Sequence, residues 1–133
     1  MSELPPDRSS QTGQLAAAAG FALWSLGFRP FYLLASVFSV ISVLLWMAQY
    51  SGWLPFAYLQ GPLWHGHEML FGFTMAVVAG FLLTAVRAWT GEPTPVGVPL
   101  MALAVLWVAG RVLVLTPLGL AAAIVNAAFP VAL

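Results

Sequence analysis

The hexapeptide Trp64-His65-Gly66-His67-Glu68-Met69 holds both histidines of this chain and one of its four acidic residues. Imidazole, carboxylate and thioether in so short a run are the groups that bind metal ions or carry protons. They open an otherwise apolar stretch reaching Val86. An ionisable group at the edge of hydrocarbon is costly enough to signal function. In a regular helix His65 shares a face with Glu68, three residues on, and with Met69, four on, whereas His67 points elsewhere. The two imidazoles therefore cannot chelate one ion from a regular helix. Either the turn around Gly66 unwinds, or each histidine has its own partner. The competing reading is that all three groups only hydrogen-bond at the headgroup interface.

Glu68 begins a row spaced by four residues through Gly72, Ala76, Gly80 and Thr84. Such a small-residue stripe lets membrane helices approach closely, so His65 and Glu68 are expected to face protein and not lipid. His67 lies on the bulkier row of Phe71, Thr74 and Val78, suited to a cofactor or another helix. The positive end of the helix dipole stabilises ionised Glu68 and disfavours protonated histidine, leaving the neutral imidazole that metals require. Met69 shares a face with His65, and a His/Met pair suits copper(I) or haem iron.

Arg111 stands inside a later apolar run. It either snorkels to the interface or lies at the depth of Glu68, where it can pair with that carboxylate or bind an anionic group such as a haem propionate. Arg29 and Arg87 read as anchors at the ends of spans.

These groups need scaffolding, and composition says of what kind. Hydrophobic residues make up 62% of the 133 and charged residues 6%, a balance that places the chain in the membrane. Lysine is absent and the net charge is zero, which gives no footprint for nucleic acid and no polybasic lipid switch. With no cysteine, His, Met and Glu are the only strong side-chain ligands.

Residues 1–14 are polar and rich in Pro and Ser, and read as a flexible tail. Residues 15–133 form the transmembrane region. An interfacial lead-in carries Phe21, Trp24 and Phe28, and Pro30 fits the first position of a helix. Spans are expected at about 31–50, 63–88 and 96–115, with a truncated one from about 118. The breaks are the aromatic loop 51–62, the turn 91–95 and Thr116-Pro117-Leu118-Gly119. The fold class is an all-α polytopic helix bundle, here an N-terminal piece of a larger protein or a truncated gene product. Arginine placement puts the N-terminus in the cytoplasm and the histidine cluster with the far end of span three at the outer face.

Phe28-Arg29-Pro30-Phe31, then Trp64-His65-Gly66-His67-Glu68-Met69 with Phe71-Gly72-Phe73 and Gly80-Phe81-Leu82-Leu83-Thr84-Ala85, resembles the NnrS family from about Phe28 onward. Its members are bacterial inner-membrane proteins with many helices, described as containing haem and copper and linked to the response to nitric oxide and nitrosative stress. The resemblance implies that His65 and His67 are metal or haem ligands, that Glu68 orients them, and that Arg29 and Arg111 support the site. It further implies the remaining helices of a full-length bundle as partners and nitric oxide as a small-molecule ligand, and leaves open whether the protein binds, senses or acts on it. The alternative is a fragment of a proton-coupled permease using His65, His67, Glu68 and Arg111 as a polar relay.

Overall fold

A computed structural model describes residues 22–54 and 59–133. The expected tail 1–14 and the first part of the lead-in lie outside the described residues. The rest forms four successive helices: α1 Phe28–Tyr50, α2 Gly61–Thr90, α3 Val98–Val114 and α4 Gly119–Ala132. The chain is an all-α membrane helix bundle.

At 23 and 30 residues, α1 and α2 are both long and apolar enough to cross hydrocarbon. Neither is the sheltered core helix of a water-soluble domain, because Leu33, Val37, Val40, Leu44, Leu63, Leu70 and Phe81 stand exposed along them. The outward serines of α1 are reconciled with that surroundings by bonding back to the helix: Ser36 to the Tyr32 carbonyl at 2.8 Å and Ser39 to that of Ser36 at 2.7 Å.

Three expected boundaries move. Helical geometry begins at Phe28, so Pro30 is the third helical residue and not the first. Its missing N–H falls among the first-turn donors that have no intrahelical partner in any case, so the helix accepts it there. The second span is continuous from Gly61, capped at Gly91 by a left-handed φ of 74°. The expected third span is a shorter apolar helix of 17 residues that starts only at Val98, because Gly97 at φ 62° leaves the helical region and gives its N–H to the Trp24 carbonyl at 2.9 Å.

Successive helices run antiparallel. Down the α1/α2 seam Gly80 faces Phe31, Gly72 faces Phe38, and His65 stacks on Trp46. Gln49 Oε1 closes the end of this seam by accepting the Gly61 N–H at 3.0 Å. α3 lies against α2 around Gly72 and Glu68, and α4 lies along α3. The core is Phe31, Ala35, Phe38, Ala76, Ala79, Leu83, Leu100, Leu103, Trp107 and Phe129. Between α1 and α3 an open apolar groove of about 770 Å³ remains, lined by residues such as Leu34, Val37, Val108 and Val112.

Candidate functional site: a histidine, carboxylate and arginine chain across three helices

α2 is not a uniform helix. Gly61–His67 is α-helical, Glu68–Thr74 widens into a π-helical turn, and Met75–Thr90 returns to α. The widened pattern is visible in the Thr74 hydroxyl, which reaches the carbonyl of Met69 five residues back at 2.8 Å. Such turns are rare and gather at functional sites, because an extra residue per turn re-aims the side chains that follow.

The π segment begins at Glu68, whose side chain is fully buried. Its Oε1 lies 2.8 Å from His67 Nδ1, and its Oε2 lies 3.2 Å from Arg111 Nε. The second contact is electrostatic, since the Nε–H is not aligned on the oxygen as a hydrogen bond requires. Arg111, 8% exposed, also donates from Nη2 to Asn126 Oδ1 on α4, and its guanidinium stands 5.5 Å over the ring of Trp107. Trp107 in turn donates its indole N–H to the Gly72 carbonyl inside the π segment, at 3.1 Å. His67, Glu68, Arg111 and Asn126 thus form one polar chain from α2 through α3 to α4. In a low-dielectric setting such pairing is what makes a buried charge tolerable.

Sequence spacing paired Glu68 with His65, but the structure pairs it with His67. The carboxylate bends back toward its immediate neighbour while His65 turns to α1 and stacks on Trp46, ring centroids 4.4 Å apart and planes 16° from parallel. His67 does lie with Phe71 as its row implied, at 4.8 Å between centroids. Snorkelling of Arg111 is excluded by its burial and its partners.

Of the packing row, Gly72, Ala76 and Gly80 are buried against α1, but Thr84 is exposed and bonds to its own helix at the Gly80 carbonyl, 2.9 Å away. In the regular helix after the π turn the buried face is Ala76, Ala79, Gly80 and Leu83, the ordinary stripe at spacings of three and four, and a row of every fourth residue drifts off it by about 40° a step, which takes Thr84 out of the seam. Arg29 does not reach the cluster. It sits at the opposite end of α1, about 25 Å along the axis from Trp46, on which His65 stacks, and its Nη1 donates to the Ala22 carbonyl at 2.9 Å. Met69 is half-buried, and among the described residues its sulfur joins neither histidine.

Asn126, Trp107 and Trp46 were not singled out by sequence reasoning. Asn126 had a signal, as the one polar side chain between Leu118 and Leu133. Trp107 stands four residues before Arg111, in reach of a cation–π contact on the same face. Trp46 carries no such mark.

Among the described residues no group of three His, Cys, Asp or Glu is gathered as a metal cage. What the site provides is individual imidazoles, one of them held by a carboxylate. The NnrS protein family model matches residues 22–133, which takes in every helix and the whole polar chain. These apolar helices with a buried ion pair define a membrane protein of the helix-bundle class. The chain belongs to the NnrS family. No curated protein and no solved structure matches it.

Proposed function

We propose that this chain is the part of an NnrS-like inner-membrane protein that supplies histidine ligands to haem or copper, in a response to nitric oxide or nitrosative stress. One observation carries the reading: His67 is backed by a buried carboxylate that Arg111 pairs on its other side. A carboxylate behind a histidine is the usual orienting partner of a metal-bound imidazole. The donor set fits, because one or two imidazoles, with no group of three His, Cys, Asp or Glu gathered among the described residues, would suit haem iron better than a closed all-protein metal cage.

In this reading His67 holds the metal and Glu68 fixes its ring. Arg111 balances the Glu68 charge, and its Nη1, without a partner among the described residues, leaves it able to meet an anionic edge of the cofactor. His65, stacked on Trp46, is the second candidate ligand. Held there, a metal would supply a coordination site for nitric oxide, a small apolar molecule that dissolves in the bilayer. Glu68 and Phe71, beside His67, set the direction of its imidazole. The proton-coupled permease is the weaker reading, because family membership does not favour it.

The test is a reduced-minus-oxidised absorption spectrum with metal analysis on the detergent-purified full-length protein and its His65→Ala and His67→Ala forms. Haem bands or copper that fall in the His67 form support the proposal. A folded protein without either, or unchanged content in both variants, removes it.

A further inference from the structure

Asn126 enters the site from α4, and its amide is oriented by a second bond: Nδ2 donates to the Ala122 carbonyl at 2.8 Å, which turns Oδ1 toward Arg111. Gly110 makes room for it, since a Cβ there would stand 3.2 Å from Oδ1 and 3.4 Å from Cγ. With Trp107 under its face and Asn126 on Nη2, the guanidinium is held on two sides, and its Nε meets Glu68 Oε2. That leaves Glu68 Oε1 for His67 Nδ1. A carboxylate beside a guanidinium can only accept, so the proton in this contact sits on Nδ1. The lone pair of the neutral ring is then on Nε2, which has no partner among the described residues. His65 is different: its Nδ1 is buried and unpartnered among the described residues, so no hydrogen bond selects its tautomer.

We infer that Asn126 is a positioning residue which, through Arg111 and Glu68, holds His67 as the Nδ1–H tautomer and so makes His67 Nε2 the atom offered to a metal. Only the last clause rests on the metal-binding reading; the tautomer stands or falls without it.

The experiment is ring ¹⁵N NMR of histidine-labelled, chelator-treated full-length protein, with His65→Ala and His67→Ala samples assigning the two rings. Expected is a His67 ring protonated at Nδ1 and bare at Nε2. Asn126→Ala shifts His67 toward the Nε2–H form that free histidine prefers, while Asn126→Asp, which keeps an acceptor on Arg111, retains the wild-type pattern. Should Asn126→Ala fail to fold, Gly110→Ala crowds Oδ1 with every polar group still present and gives a smaller shift in the same direction. A wild-type His67 that is Nε2–H or doubly protonated overturns the inference. So does an Nδ1–H pattern that survives in every folded Asn126→Ala or Gly110→Ala sample. Failure of the metal reading shows separately, in the metal content of the purified protein.

Discussion

The indole of Trp107 donates to the backbone carbonyl of Gly72 across 3.1 Å, a buried link from α3 into the widened turn of α2. The turn that aims Glu68 is therefore fastened from outside its own helix. The same glycine is pressed from two other sides. A methyl on Gly72 would overlap the edge of the Phe38 ring and come within 2.9 Å of Glu68 Oε2. Phe38 cannot easily retreat, because it packs edge-on against Trp107 with centroids 5.3 Å apart.

Gly72→Ala is accordingly expected to destabilise the bundle by about 1–3 kcal/mol, the usual range for overpacking. It should also disturb Glu68, because the added methyl crowds the carboxylate. The check is a detergent melting curve together with cofactor content. An alanine variant as stable as wild type would mean that α1 and α2 separate more freely than the seam implies.

Glu68 and Arg111 are each the other's charge partner in a setting with little solvent. Removing one leaves an uncompensated buried charge, at a cost of about 3–5 kcal/mol, whereas removing both does not. A cycle of Glu68→Gln, Arg111→Met and the double variant should therefore be strongly non-additive, the double variant losing less than the sum of the two single losses, read from denaturant unfolding in micelles. Strictly additive losses would show that the two groups act independently.

The long apolar helices were legible because an uninterrupted apolar run of this length admits few other structures in lipid, and Gly91 in the turn 91–95 marks a helix end by its backbone chemistry; Gly97 and Pro99 carried the same signal for the start of α3, which the expected bound at 96 passed over. Arg111 was legible for the opposite reason, as a charge where none is tolerated unpaired. What spacing could not give was the direction of individual side chains near His67. Helical periodicity assumes a constant turn, which the π segment violates from Glu68 to Thr74, and a row of every fourth residue drifts by about 40° a step even in a regular helix, so Thr84 leaves the seam that Ala76, Ala79, Gly80 and Leu83 share. Pairing of Glu68 with an adjacent residue is likewise a choice of rotamer, which periodicity does not encode.

That shift of face separates two residues that sequence treats alike. A Cβ at Gly80 would lie 3.4 Å from Phe31 Cβ and 3.5 Å from the Tyr32 ring, so Gly80→Leu must push α1 away from α2. A loss of about 1–3 kcal/mol is expected, or more where the larger side chain finds no space. Thr84→Leu, at an exposed position whose hydroxyl bonds only to its own helix, should change stability by no more than about 0.5 kcal/mol. Equal penalties in a thermal-shift comparison would place Thr84 back in the seam.

The bundle brings His67, Glu68, Arg111 and Asn126 to the end where α1 hands over to α2 and α3 to α4, while Arg29 and Arg87 stand at the other end with the turn between α2 and α3. Arginine retention on the cytoplasmic side predicts how the assembly is oriented. Reporter fusions at Gly52 should report the outer side, and fusions at Glu92 the cytoplasm. The polar chain would in that case open toward the periplasm, and electrons for a bound metal would have to reach it from the outer leaflet side. Opposite reporter signals would leave the chain of residues intact but bring it to the cytoplasmic face, within reach of soluble reductants.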